Sequence, residues 1–320
     1  MEFIKDIIGN ELGIFEKKFA DAVKSQVPLL DRIMQYIIKR KGKQLRPMFV
    51  FLSARLHGPI NESSYHAAAL IELLHTATLV HDDVVDESLE RRGFFSINAL
   101  WNNKITVLVG DYLLSKGLLV ATDNKEFEIL GIVSRAVKQM SEGELLQIEK
   151  TRKLNLDENI YFEIIRNKTA SLLSSACAAG AWSTSRNDET SNLMGLFGEK
   201  IGIAFQIKDD LFDYGTDNIG KPTGNDIKEK KLTLPLIYTL NHIDNKRKKE
   251  IIFIIKNENR DAKKIKMVLE TVHASGGIQY AIDKMNQYRD EAIEILHRFP
   301  PSEVRDGLEK LVRFTTERKY

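Results

Sequence analysis

Cysteine is nearly absent, with Cys177 the single one in 320 residues. No disulfide can form within one such chain, the pattern expected of a reducing cytosol, so a cytoplasmic location is expected. Cys177 lies in an Ala/Ser-rich stretch and reads as a small buried hydrophobe rather than a nucleophile. Proline and glycine are scarce too, at seven and nineteen, few for the turns a β-rich chain would need. Basic and acidic residues number 47 and 45, a net charge of +2. That leaves no broad field for nucleic acid, and basic groups that matter must act locally. No uninterrupted run of eighteen uncharged apolar residues occurs, so no membrane span is expected. The opening MEFIKDIIGNELGIFEKKF breaks its apolar residues with charges and does not read as a signal peptide. What is present is material for a large core, 43% hydrophobic against 29% charged.

The apolar residues recur at helical spacing from the start. Ile4, Ile7, Ile8, Leu12 and Phe15 mark an amphipathic first helix. Core packing is its expected use, with peripheral membrane contact as the lesser alternative. A second helix is expected over 28–40, followed by the basic turn Lys41-Gly42-Lys43-Gln44-Leu45-Arg46-Pro47, with Pro47 opening a third. After the break His57-Gly58-Pro59, Asn61 or Ser63 is placed to cap a long helix. Further helices are expected over about 98–120, 126–151, 157–184, 189–213, 234–242, 246–256, 260–273, 277–297 and 302–318, with a loop over 215–231. No strand pattern, repeat or linker is found. The expectation is one all-α domain spanning 1–320, a large helical bundle.

Two acidic clusters interrupt this pattern. His81-Asp82-Asp83-Val84-Val85-Asp86 ends the apolar run Ala67–Val80, and Asp209-Asp210-Leu211-Phe212-Asp213 ends a second helix. Asp82 and Asp86, like Asp209 and Asp213, are four residues apart and stand on one helix face. Carboxylates this close repel, and aspartates at a helix C-terminus oppose the helix dipole. A hard divalent cation offsets both costs, and magnesium binds one or two carboxylates together with phosphate oxygens. One such cluster reads equally well as a solvated helix end. Two with the same spacing point to opposing jaws that hold a polyphosphate through metal. Basic residues mark the same regions: Lys43, Arg46, Arg91, Arg92, Lys168, Lys221 and Lys231. Lysine and arginine bind phosphate by charge-assisted hydrogen bonds, so a second diphosphate site held by basic groups alone is expected.

These residues carry a resemblance. Gly42-Lys43-x-x-Arg46-Pro47, the run Glu72 to Asp86, Arg91-Arg92-Gly93, Gly110-Asp111-Tyr112-Leu113-Leu114, Gly143-Glu144-Leu145-Leu146-Gln147, Lys168-Thr169, Phe205 to Asp213 and Gly220-Lys221-Pro222 together resemble the all-trans isoprenyl (polyprenyl) diphosphate synthases along nearly the whole chain. The resemblance implies an all-α isoprenoid-synthase bundle around a central cavity, homodimeric, and a prenyltransferase. It implies that Asp82, Asp86 and Asp209 bind Mg²⁺, on the order of two or three ions, with Asp83, Asp210 and Asp213 in support. It further implies that Arg91, Lys168, Thr169, Gln206, Lys221 and Lys231 hold the allylic diphosphate, with Lys168, Gln206 and Lys221 counted as catalytic. Lys43, Arg46, His75 and Arg92 would hold isopentenyl diphosphate. His81 is left structural. One departure concerns the first basic turn, where the family commonly has two glycines before the lysine and an arginine after it. Here Lys41 and Gln44 occupy two of those places.

The reaction so implied is a 1′-4 condensation. Diphosphate leaves the allylic substrate, the resulting cation is attacked by the double bond of isopentenyl diphosphate, and the departing diphosphate takes the proton. The helix before Asp82 then acts as a ruler, one turn climbing about 5.4 Å, close to one extended isoprene unit. Short-chain members of the family carry bulky aromatics four and five residues before the first aspartate. Here Thr78 and Ala77 are small, so the tail is expected to pass this level. Ala77, Thr78, Leu74 and Ile71 together mark how far the product can grow, and Ala77→Phe is expected to shorten it. Ile132, Val133 and Met140 of the facing helix are candidates for the floor. The expected product is long, around seven or eight isoprene units, each close to one helix turn in length, of the kind used for quinone side chains. Competing readings are a short-chain farnesyl or geranylgeranyl diphosphate synthase, a metal phosphohydrolase suggested by His81-Asp82, and a non-catalytic partner subunit of the same fold.

Overall fold

A computed structural model describes residues 2–39, 42, 44–86, 90–91, 94–153, 157–215 and 224–318, without the side chains of Glu90, Arg91, Arg152 and Lys153. The chain runs α1 (Glu2–Ala22), α2 (Pro28–Lys39), α3 (Leu45–His57), α4 (Glu62–Val85), β1 (Glu90–Arg91), β2 (Phe94–Phe95), α5 (Ile97–Asp123), α6 (Phe127–Lys153) and α7 (Glu158–Ile165). A π-helical turn (Arg166–Ala170) follows, then α8 (Ser171–Ser185), α9 (Asp188–Phe212), α10 (Asn225–Lys228), α11 (Leu234–His242), α12 (Asn245–Asn257), α13 (Ala262–Ala274), α14 (Gly277–Leu296) and α15 (Glu303–Glu317). The fold is all-α, as the sequence pattern requires.

The helices form two compact units. One comprises residues 1–137, 172–195 and 301–308, and the other 138–171, 196–300 and 309–320. In the first, Ile4, Ile7, Ile8, Leu12 and Phe15 are all buried, so the apolar stripe of α1 faces the core. The cap of α4 is Asn61: its side chain accepts from the Ser64 amide at 3.2 Å, and Ser64 Oγ accepts from the Asn61 amide at 3.4 Å. This reciprocal pair satisfies two of the orphan donors at the helix start. Ser96 caps α5 through the Ala99 amide at 3.0 Å. Within α5, Asn102 adopts φ 68° and makes a kink. Its Oδ1 accepts from the amides of Lys104 and Ile105 at 3.1 and 3.3 Å, so a second helix start is capped inside the element.

In the second unit, the core gathers apolar residues from α7, α9 and α11–α14, among them Tyr161, Ile207, Leu236, Ile254, Val268 and Met285. Asp157 starts α7 by accepting from the Ile160 amide at 2.9 Å. Gly202 lets α9 lie directly against the π turn, since a Cβ there would come 2.4 Å from Ala170 Cα.

Three local features depart from the sequence reading. Glu90–Arg91 pair antiparallel with Phe94–Phe95, where no strand was expected; two residues are too short a run to show an alternating pattern. The helix expected over 157–184 is broken by the π turn, one extra residue per turn that an apolar period does not reveal. The expected loop 215–231 contains α10, which at four residues is shorter than an apolar repeat. The count of uninterrupted apolar residues also missed that α5 is long and apolar enough to cross a membrane, the one such helix among the described residues. Its Thr106, Val109, Gly110, Leu113, Gly117 and Ala121 are buried, while Val107, Leu108, Leu114, Leu118 and Leu119 are exposed.

Candidate active site

In the first unit the acidic motif ends α4. Asp82 is half-buried, Asp86 is exposed, and the Asp86 amide still donates to the Asp82 carbonyl at 2.8 Å, so the helical turn between the two carboxylates is intact. Asp83 is buried and turned away from that face. His81 stays structural, with Nε2 at 3.3 Å from the Val107 carbonyl and 3.4 Å from Asp111 Oδ1. The ring rests on Gly110, where an added Cβ would lie 2.2 Å from Nε2. Only a residue without a side chain lets α5 pass this close beneath the motif.

The four residues expected to limit product length separate into two sets. At about 100° per residue, Thr78, Leu74 and Ile71 lie on the side of α4 that carries Asp82, while Ala77 is turned about 140° from it. Ala77 is buried in a cluster with Leu73, Val80, Ile33, Met34, Val109 and Leu113. Thr78 is half-buried, with Oγ1 donating to the His75 carbonyl at 2.8 Å. His75 is buried on the same side, and Arg46 is half-buried in the first turn of α3.

The second acidic motif shows a division of labour among its carboxylates. Asp210 is buried and accepts from Tyr161 OH at 2.7 Å, Gln206 Nε2 at 3.0 Å and Lys231 Nζ at 3.0 Å. Asp213 accepts from the amides of Asn225 and Asp226 at 2.8 and 2.9 Å. Asp226 meets Lys231 at 3.4 Å. Asp209 alone has no donor from this network; its partner is the Arg318 guanidinium, which lies over the Phe205 ring at 4.2 Å. Asp210 and Asp213 are therefore anchored within this network, while Asp209 is held from outside it by Arg318.

Electrostatics sharpen the distinction. Burial pushes Asp209 up to about 6 against the pull of Arg318. It pushes Asp226 up to about 7 against the attraction of Lys231, with Asp210 and Asp213 adding to the rise. Burial lowers the Lys231 ammonium, but Asp210 and Asp226 outweigh it and hold the group above its ordinary value. Four carboxylates (Asp209, Asp210, Asp213, Asp226) face two cations (Lys231, Arg318), a formal charge of −2. A hard divalent cation suits that oxygen-rich, net-negative cluster. Among the described residues no three His, Cys, Asp or Glu side chains converge on one point. Each motif thus offers a partial coordination shell of one or two carboxylates.

Lys168 and Thr169 lie in the π turn. Lys168 Nζ meets Glu144 Oε2 at 2.5 Å and Gln147 Oε1 at 3.4 Å. Gly143 makes this approach possible, because a Cβ there would sit 2.8 Å from the Lys168 amide nitrogen. Thr169 Oγ1 donates to Gln206 Oε1 at 2.7 Å, and the Gln206 amide then donates to Asp210. Thr169, Gln206, Asp210, Lys231 and Asp226 form one continuous polar chain. Lys231, expected on the allylic diphosphate, already places two of its three donors on Asp210 and Asp226. Lys43, Arg92 and Lys221, and the side chain of Arg91, lie outside the described residues. The sequence reading missed Tyr161, Asp226 and Arg318, and quoted Glu144 within a motif without giving it a role. Asp226 had a signal in its spacing of five from Lys231, whereas Arg318 is 109 residues from Asp209 and had none.

The polyprenyl synthetase family profile matches residues 27–272. Octaprenyl diphosphate synthase of Escherichia coli is 32% identical over 320 residues, covering 99% of each chain. A Caulobacter crescentus polyprenyl synthase, solved with calcium and isoprenyl diphosphate, superposes with a TM-score of 0.91 at 32% identity, covering 100% of this chain and 98% of the other. Geranylgeranyl pyrophosphate synthase from Bacteroides thetaiotaomicron gives 0.84 at 39% identity, covering 99% and 98%. The chain belongs to the polyprenyl synthetase family. It is a prenyltransferase.

Proposed function

We propose that this chain is an all-trans long-chain polyprenyl diphosphate synthase that adds isopentenyl diphosphate to an allylic diphosphate by successive 1′-4 condensations. The observation that carries the long product is the side of α4 leading up from Asp82. It presents Thr78, His75, Leu74 and Ile71 and no phenylalanine, tyrosine or tryptophan. From Asp82 back to Glu62 the helix is 20 residues, about 30 Å at 1.5 Å per residue. That is room for about six turns, each about the length of one isoprene unit. The similarity to an octaprenyl diphosphate synthase and to a polyprenyl synthase supports the reading. The geranylgeranyl pyrophosphate synthase at 39% identity favours a shorter product as the second reading. Reverse-phase analysis of products from labelled isopentenyl diphosphate separates them: with room for about six turns, the long-chain assignment requires products of about thirty carbons or more. A product that stops at about fifteen or twenty carbons refutes it.

In this reading Asp82, Asp86 and Asp209 hold the magnesium ions of the allylic diphosphate, on the order of two or three. Magnesium, when bound, stabilises the charge that develops on the leaving diphosphate. Lys168 gives its ammonium to the same leaving group, exchanging Glu144 for phosphate oxygen. Thr169 and Gln206, fixed by Asp210, orient it, and Arg91 and Lys221 add charge. Lys231 keeps Asp210 and Asp226 in place and has one donor left for phosphate. Arg46, His75, Lys43 and Arg92 hold isopentenyl diphosphate. The two packing units work as a single synthase domain, in the cytoplasm. Two copies associate as a homodimer through the exposed leucines of α5, whose apolar face is otherwise left to water. Leu118→Glu is expected to convert the dimer to monomer in sedimentation equilibrium. An unchanged mass removes α5 from the interface.

A further inference from the structure

Arg318 stands where a metal ion is needed. Asp210 and Asp213 are already engaged by donors from Tyr161, Gln206, Lys231 and the start of α10. Asp209 is left as the carboxylate open to a ligand, and the Arg318 guanidinium fills that opening from the end of α15. The group is well seated: it stacks on Phe205 at 4.2 Å, lies 5.5 Å from the Phe212 ring, and its side chain is 19% exposed. Its Nε is buried without a hydrogen-bond partner. A buried guanidinium with an unsatisfied donor is a costly resident, so its seat is one it leaves when a better cation arrives. A divalent ion and a guanidinium on one carboxylate carry like charge and repel each other.

We propose that Arg318 is the resident counter-ion of the Asp209 metal position, and that magnesium binding expels it and frees the last turn of α15. The proposal rests on the assignment of Asp209 as a metal ligand. It couples loading of the site to the C-terminal end of the chain: with the ion absent, the end of α15 is pinned to the acidic motif; with the ion bound, the pin is gone. If the latch is closed about nine-tenths of the time, only about one-tenth of the molecules are competent, and the apparent affinity for magnesium is about tenfold weaker than the intrinsic one.

The test uses the full chain. Magnesium chloride with inorganic diphosphate is titrated calorimetrically into the parent protein and Arg318→Ala, and the expected result is roughly three- to tenfold tighter magnesium binding by the variant. A second measurement leaves Arg318 in place. Glu317, exposed and one residue before the latch, is replaced by cysteine and labelled with a nitroxide. The labelling is selective because Cys177 is fully buried, with its thiol pushed up to about 12 by burial. The label is expected to become more mobile on saturation with magnesium, and this change is expected to vanish in Arg318→Ala. Equal or weaker magnesium binding by the variant, or a label indifferent to magnesium in the parent, overturns the latch alone. Failure of the parent protein to bind magnesium at all overturns the latch and the metal assignment together.

Discussion

Phenylalanine placed at Thr78 and at Ala77 gives two different outcomes, although the residues are neighbours. Thr78 is half-buried on the side of α4 that carries Asp82, four residues and so about 6 Å below it. A phenyl ring there blocks the path of a growing chain about one turn from the chemistry, and the product is expected to fall to about fifteen or twenty carbons. The fold has little stake in the change, since Thr78 gives up only its 2.8 Å bond to the His75 carbonyl. Ala77 is 3% exposed and lies in the cluster of Leu73, Val80, Ile33, Met34, Val109 and Leu113. A ring forced into that packing is expected to destabilise the protein by about 1–3 kcal/mol, with product length altered far less. Reverse-phase chromatography of labelled products, paired with thermal unfolding of both variants, reads the two effects separately. Shortened product from Ala77→Phe at an unchanged melting temperature, with no shortening from Thr78→Phe, would refute the assignment of faces.

The acidic network makes three further predictions. Asp210→Ala leaves Tyr161, Gln206 and Lys231 facing a void, and a loss of roughly 3 kcal/mol is expected in urea unfolding; Asp210→Asn, which still accepts hydrogen bonds, should lose clearly less. In chelator-containing buffer, Asp209 and Asp226 titrate near about 6 and about 7, above the ordinary carboxylate value of 3.8. The folded protein then holds more protons than the unfolded chain between about pH 4 and 7. The contribution of these two groups to stability therefore falls as pH rises through that window; Asp226→Asn should flatten the slope, and a parent-like slope in the variant counts against the assignment. Gly143→Ala would place a Cβ 2.8 Å from the Lys168 amide nitrogen, so the π turn must shift. The expected result is a tenfold or greater drop in kcat/KM for the allylic substrate, by analogy with other small misplacements of reacting groups. Unaltered kinetics would show that Lys168 is not positioned by this contact.

Much of the protein could be read before folding was considered. The helices follow from apolar spacing, down to Asn61, one of two candidates beside Ser63, as the start of α4 and Ile4 to Phe15 as the buried face of α1. The acidic motifs declared their chemistry because i, i+4 carboxylates at a helix end need a cation. Helix geometry alone also separates Thr78 from Ala77, although their shared small size concealed it. The hairpin at Glu90–Phe95 and the π turn at Arg166–Ala170 were hidden because neither is long enough to leave a periodic trace.

The sequence by itself determined an all-α chain, two carboxylate motifs and a set of basic residues suited to phosphate, since each is written in local spacing and side-chain chemistry. Only the tertiary structure decided which carboxylate is available. Asp209, Asp210 and Asp213 look equivalent as letters, yet Asp210 is tied by Tyr161 and Lys231, Asp213 by the amides of α10, and Asp209, among the described residues, by Arg318. Those partners lie from 12 to 109 residues away along the chain. Hydrogen bonds and burial act over a few ångströms of space, so a pairing across that sequence distance exists only after folding has brought its members together.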